Sequence, residues 1–219
     1  IIVAPNYDMP FCKTMAGILA FRRSSGDVVV ILDADAYLPA KSILECAEMI
    51  RSDRRLSFVP YRRMYRMTES ATTIIVHSDP DHPVLPSDPP PAGLWTDEGG
   101  SSAGHWFAAL VQILPREAFE AVGGMDERFR GWGGEDISFM RAVDTLHGLH
   151  KTFDGPAFHL WHPTVKAVSP NNEKQWAGQP RNVMNSALTN RYARAFLDRV
   201  MMQKLVAEHQ VARVLGKYL

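Results

Sequence analysis

The sequence predicts an α/β domain, and three observations carry that expectation. A continuous, mostly β-branched run, Val28-Val29-Val30-Ile31-Leu32, reads as a strand, segments with helical spacing stand on either side of it, and further strand-like stretches alternate with helices downstream. Alternation of this kind implies helices packed on a sheet. A chain of 219 residues is long enough for one such core with a functional insertion.

Ile1 to Ala4 is a short apolar run closed by Pro5-Asn6 and reads as loop or short strand. From Phe11 to Arg23, apolar residues at Phe11, Met15, Ile18, Leu19 and Phe21 have the spacing of a helix. Ser24-Ser25-Gly26 stops that helix. The Val28 to Leu32 run shows no polar alternation and is therefore expected to be covered on both faces, as in a parallel sheet. Past Pro39, Ile43, Leu44, Ala47, Met49 and Ile50 predict a second helix, and Leu56 to Pro60 another strand.

Between Ser78 and Gly104 the character changes, with six prolines, several acidic residues and Gly99-Gly100. Little regular structure is expected there, and the segment reads as a flexible loop, either a lid or an unstructured insertion. His105 to Leu114 is strand-like, Arg116 to Val122 a short helix, Asp136 to Leu146 a longer one, and Thr152 to His159 leads into a strand end. Asn185 to Leu219 mixes apolar with basic and amide residues and predicts one or two amphipathic helices. The expected division is a catalytic domain over residues 1–184 and a helical extension over 185–219.

Lys plus Arg and Asp plus Glu both number 24, so no overall field draws in polyanions, which argues against a protein that tracks duplex nucleic acid. No stretch approaches the roughly 20 apolar residues of a membrane helix. Cys12 and Cys46 lack metal-ligand spacing and point to reduced thiols in a cytoplasmic setting, a single bridge being the alternative. Ile1-Ile2-Val3 carries neither an initiating Met nor a signal-peptide pattern, and reads as a chain whose beginning lies elsewhere.

Three constellations carry chemistry. The first is Asp33-Ala34-Asp35 at the end of the predicted strand. Strand alternation would send both carboxylates to one side, where a divalent cation is their natural partner and where α/β sheets bind ligands. A solvated turn is the plain alternative. A phosphatase of the haloacid dehalogenase type also uses Asp-x-Asp, but that family places a small turn residue and Thr or Val after the second Asp, where this chain has Ala36-Tyr37-Leu38-Pro39.

The second constellation is Gly123-Gly124-Met125-Asp126-Glu127-Arg128-Phe129 followed by Gly131-Trp132-Gly133-Gly134-Glu135-Asp136. Its glycines permit close approach of backbone to ligand, Trp132 offers a flat face to a sugar ring, and Glu135 or Asp136, at a helix start, can bind hydroxyls or accept a proton. Helix capping is the structural alternative, compatible with that role. The third is His159-Leu160-Trp161-His162. A separation of three does not place both imidazoles on one side of a strand, so one ligand is expected; one imidazole added to carboxylates suits Mn²⁺.

Taken in order, these motifs resemble glycosyltransferases of the GT-A fold, closest to the β-1,4-galactosyltransferase and polypeptide N-acetylgalactosaminyltransferase group and related bacterial enzymes. The resemblance runs from about Phe11 to His162. It implies a sandwich around a mixed, mostly parallel sheet, followed by C-terminal helices. It implies Asp33 at the donor or its metal, Asp35 and His162 as ligands of Mn²⁺ or Mg²⁺, and Trp132, Gly133 and Gly134 near the donor. Glu135 and Asp136 would meet the acceptor, with Asp136 as base in an inverting transfer. The implied donor is a nucleotide sugar, a UDP-sugar first, and the acceptor a glycan, protein, lipid or modified nucleobase. The strands that such enzymes use to hold the nucleotide base have no counterpart in this sequence, so a silent sugar- or nucleotide-binding remnant is the second reading.

Overall fold

The structure is a computed structural model that describes residues 12–79, 81–96, 109–131, 133–163, 175–176, 179–180 and 183–214. Helix α1 (Lys13–Arg23) closes where the Ser24 amide donates to the Phe21 carbonyl, and Arg22 and Arg23 in its last turn complement the helix dipole. Its inner face buries Thr14 and Ile18. Phe21 stacks on Phe119 at 4.1 Å between ring centroids.

Strand β1 (Val28–Leu32) runs antiparallel to β6 (Val111–Pro115), which also pairs with β3 (Phe58–Val59); β7 (Lys151–Thr152) completes a sheet of order β1-β6-β3-β7. The expectation that Val28 to Leu32 is covered on both faces is overturned. Among the described residues β1 is an edge strand, with Val30 and Leu32 41% and 48% exposed. The strands of this sheet buried throughout are β6 and the two-residue β3. A β-branched run favours a pleated backbone wherever it lies, so its composition does not distinguish edge from centre.

Helix α2 (Ala40–Ser52) covers this sheet through Cys46 and Ile50, both fully buried, while Leu44 and Met49 on its other side are exposed. Cys46 and Cys12 are both free thiols. Helix α4 (Arg116–Ala121) follows β6 directly, with Ala118 and Phe119 buried.

A second sheet, of order β2-β8-β4-β5, carries the site. Its strands are β2 (Ala36–Tyr37), β4 (Arg63–Met67), β5 (Trp95–Thr96) and β8 (Pro156–His159). Parallel pairing is confined to β3 with β7 and β4 with β8 among the described residues. The sheets are therefore mixed, as expected, but mostly antiparallel rather than mostly parallel. Tyr65, Met67, Ala71, Ile75 and Phe158 form the core under this second sheet. Helix α3 (Glu69–Val76) supplies Ala71 and Ile75 and starts at Thr68, whose hydroxyl accepts from the Ala71 amide at 3.3 Å.

The segment after α3 is better tied down than its composition suggests, because backbone and side chains of the second sheet hold it. Asp88 accepts from Arg63 and from the Tyr65 hydroxyl, the Tyr37 hydroxyl donates to the Val84 carbonyl, and β5 pairs with β4. Residues 97–104 of the expected lid lie outside the described residues, as do residues 1–11.

Helix α5 (Glu135–Leu146) is followed in space by α6 (Val183–Ala195) and α7 (Arg199–Val214), so the C-terminal segment, expected to form one or two helices, forms two. Leu188, Tyr192, Ala195, Met202, Leu205 and Val206 lie in the main hydrophobic core, so these helices share the core of the sheet and α5. A short ribbon, β9 (Gln175–Trp176) with β10 (Gln179–Pro180), precedes them. No helix of the described residues is long and apolar enough to cross a membrane.

Candidate active site

Two charged clusters sit on either side of one turn. β1 stops at Leu32, and the chain then bends: the Asp33 amide donates to the Leu110 carbonyl at 2.8 Å, and the Ala36 amide to the Asp33 carbonyl at 3.0 Å. Asp33 and Asp35 are thus turn residues, outside the strand whose alternation was to align them. Their carboxylates take different partners.

Asp35 faces both histidines. His162 Nε2 lies 3.2 Å and His159 Nε2 3.6 Å from Asp35 Oδ2, and one ligand atom from each of the three residues lies within 4.8 Å of the others. The expectation of a single histidine in this cluster is corrected. β8 ends at His159, so the period of two does not extend to His162. Instead the Leu160 amide donates to the Asp35 carbonyl at 2.8 Å and the Trp161 amide to Thr72 Oγ1 at 2.8 Å, curling the segment so that both rings reach one carboxylate.

The donor set suits a small divalent cation. Ligands about 2.1 Å from an ion stand roughly 3.0 to 3.4 Å apart in octahedral or tetrahedral arrangement, close to the spacings found here. Burial pushes the His159 imidazole below its usual range, with Arg66 and His162 acting in the same direction and Asp35 and Asp33 opposing. The neutral ring is the form that can ligate a metal.

Asp33 stands outside this cluster and pairs with Lys13, at the start of α1, which also donates to Asp136 Oδ1 at 2.8 Å. Lys13 therefore sits between two carboxylates remote in sequence. Burial works to lower its pKa, but Asp136 and Asp33 outweigh it and hold the ammonium well above its usual range. For Asp136, burial is the largest influence; with Glu135 and Asp33 beside it, it outweighs Lys13 and pushes the carboxyl up to about 7.

Asp136 owes its place to the glycine-rich loop. Gly134 caps α5 at φ 92°, a left-handed conformation, and a Cβ there would collide with the Thr189 side chain of α6. Glu135 is 7% exposed and turns back to accept from the Gly133 amide at 3.1 Å, while the Asp136 carbonyl accepts from Gln112 on β6. Of the two acidic residues at this helix start, Glu135 binds its own loop and Asp136 faces Lys13. Trp132 lies outside the described residues.

The C-terminal helices hold the same loop from behind. Asn185 of α6 is 3% exposed; its Oδ1 accepts from the Arg130 amide at 3.1 Å and its Nδ2 donates to the Arg130 carbonyl at 2.9 Å. Tyr192 donates to Asp126 at 2.9 Å, and Arg128 joins Asp126 to Glu208 of α7. Sequence patterns signalled neither Lys13 nor Asn185: each is an ordinary helix residue until the fold brings its partner to it.

A family model described as the N-terminal domain of galactosyltransferase matches residues 101–152. Validoxylamine A glucosyltransferase of Streptomyces hygroscopicus subsp. jinggangensis (strain 5008) is 36% identical over 66 residues, covering 30% of this chain and 15% of that protein. Chondroitin sulfate N-acetylgalactosaminyltransferase 2 of Mus musculus is 28% identical over 148 residues, covering 63% of this chain and 24% of that one. Among solved structures, GalNAc-T7 with UDP, GalNAc and Mn²⁺ aligns with 84% of this chain and 36% of its own at a TM-score of 0.46 and 14% identity. The resemblance to glycosyltransferases is thus present in sequence comparison as well as in the motifs, and the chain spans less than a quarter of the length of these two curated relatives.

Proposed function

We propose that this chain carries the catalytic site of a divalent-cation-dependent glycosyltransferase that moves a sugar from a nucleotide-sugar donor, a UDP-sugar first, to an acceptor hydroxyl with inversion. The observation that carries the reading is the Asp33–Asp35 turn, which links a carboxylate and two imidazoles on one side to Lys13 and Asp136 on the other. Similarity to named glycosyltransferases over part of the chain supports it.

Asp35, His159 and His162 would hold Mn²⁺ or Mg²⁺, which when bound supplies charge neutralisation to the leaving diphosphate. Asp33 would meet the donor after exchanging its Lys13 partner for it. Asp136 is the base: as the acceptor oxygen forms its bond to the anomeric carbon and the bond to the diphosphate oxygen breaks, the hydroxyl proton passes to the Asp136 carboxylate. A base with a pKa near neutrality combines a useful ionised fraction with real proton affinity. Glu135 and Gly134 set the direction of that carboxylate by fixing the helix start, and Trp132 and Gly133, which precede them in sequence, would serve the donor sugar.

The test is a panel of nucleotide sugars incubated with the full-length protein and Mn²⁺ or Mg²⁺, scored for free nucleoside diphosphate and for glycosylated acceptor. Metal-dependent release of the diphosphate is expected. Tight donor binding without turnover would identify a silent binding module, and release of inorganic phosphate from simple phosphomonoesters would identify a phosphatase; either result removes the reading.

A further inference from the structure

A row of residues in register crosses the second sheet beside the cation cluster. Ala36 of β2 pairs with His159 of β8, His159 with Arg66 of β4, and Arg66 with Thr96 of β5. Register partners on adjacent strands project their side chains to the same face, about 5 Å apart. Arg66 is therefore the immediate neighbour of His159 on the face that carries Asp35 and His162.

Other arginines near this sheet have partners. Arg63 holds Asp88 and Asp154, and Arg62 donates to Thr152. Arg66 differs: its Nε is buried and finds no hydrogen-bond acceptor among the described residues. A buried guanidinium N–H left unpaired is unfavourable, and native proteins leave few of them without a purpose. The carboxylate of the neighbouring cluster, Asp35, is already engaged by two imidazoles.

We propose that Arg66 is a diphosphate-binding residue, its guanidinium taking phosphoryl oxygens of a ligand whose other oxygens reach the cation cluster of Asp35, His159 and His162. The planar fork of an arginine matches two oxygens of one phosphoryl group or of neighbouring groups, and a diphosphate is long enough to meet both the fork and a cation one strand away. This assignment rests on the proposed nucleotide-sugar reading for its biological ligand, but its chemistry requires only a diphosphate.

The experiment measures Mn²⁺ binding alone, and then inorganic pyrophosphate binding in the presence of Mn²⁺, by titration calorimetry on the wild-type chain and on Arg66→Met and Arg66→Lys. Loss of a charge-assisted pair predicts pyrophosphate binding weaker by about 10- to 100-fold in Arg66→Met, with Arg66→Lys intermediate. Mn²⁺ binding alone should stay within about threefold, a change of under 1 kcal/mol. Unchanged pyrophosphate affinity in Arg66→Met overturns the assignment, as does absence of pyrophosphate binding by the wild type. Folding is covered by Arg66→Lys and by the retained Mn²⁺ site. Wild-type protein that binds pyrophosphate through Arg66 yet turns over no nucleotide sugar upholds this assignment and removes the proposed function; sugar transfer with a donor KM indifferent to Arg66→Met does the reverse.

Discussion

Lys13 and Asp136 meet at 2.8 Å although 123 residues separate them in the chain. The contact joins the first helix to the start of α5, with Asp33 of the β1 turn on the same ammonium. It places a cation against the carboxylate proposed as base, opposing the upward pull of burial on its pKa.

Asp136→Asn preserves size and most hydrogen bonding but cannot accept a proton, so sugar transfer should fall by about 10²-fold or more. In the unmutated protein, transfer should rise with pH towards a limb near the Asp136 value of about 7. Stability should move the other way. The folded-state pKa lies above the ordinary 3.8, so the contribution of Asp136 is full below about pH 4 and is lost as pH rises through about 7. Thermal unfolding of the metal-free protein between pH 4 and 8 should show that decline weakened in Asp136→Asn. An identical slope in both proteins, or full transfer by the variant, would mean that Asp136 is only a helix cap.

Lys13→Met removes the positive charge that opposes the upward shift of Asp136. Its transfer limb should therefore lie at higher pH than that of the unmutated chain, with kcat at pH 6.5 reduced by about tenfold for each unit of displacement. Lys13→Arg should restore the profile. A purely structural role for Lys13 would lower activity equally at every pH, and pH–rate profiles of the three proteins separate the two cases.

Asp35→Asn, His159→Ala and His162→Ala should each weaken Mn²⁺ binding, by at least the 10- to 100-fold seen when even outer partners of a metal site are lost. Asp33→Asn should weaken it less, because Asp33 faces Lys13. Without metal, Asp35→Asn should unfold close to the unmutated chain: its side chain is 32% exposed and its imidazole contacts are of the weak surface kind. Calorimetric Mn²⁺ titrations check the ranking. Full affinity in His159→Ala would return His162 to the role of lone histidine ligand.

Asn185→Leu removes two hydrogen bonds to the Arg130 backbone, at a cost of about 1–3 kcal/mol. Because Arg130 lies in the loop that ends at Gly134, transfer should fall further than stability alone explains, with Mn²⁺ affinity retained. Thermal unfolding, Mn²⁺ titration and kcat measured on one preparation make the comparison. Equal loss of metal binding and transfer would indicate general unfolding, with no role for Asn185 in positioning the loop.

Much of the local structure was legible in the residues. Helical spacing before Ser24, after Pro39 and around Arg116 located α1, α2 and α4, and the tail divided into α6, which starts two residues before the expected Asn185, and α7. The stretch from Tyr61 to His77 was not read, although Thr68 before Glu69 is an N-cap signal, and with it went β4 and α3. Arg66 was lost to view for that reason.

The sequence by itself determined the order of the motifs and the ends of most helices, and it singled out Asp33, Asp35, His162 and Asp136, which the structure brings to the two clusters at the β1 turn. These rest on local chemistry: periodicity, capping and the turn-forming glycines act within a few residues. Which strand lies at the edge, that the pairing is mostly antiparallel, that His159 turns to Asp35, and that Lys13 takes Asp33 away from it were decided only by the tertiary structure. Those outcomes depend on strand neighbours and charge partners from distant parts of the chain. A carboxylate carries no mark of which cation will reach it first; that is set when α1, β1 and α5 pack together.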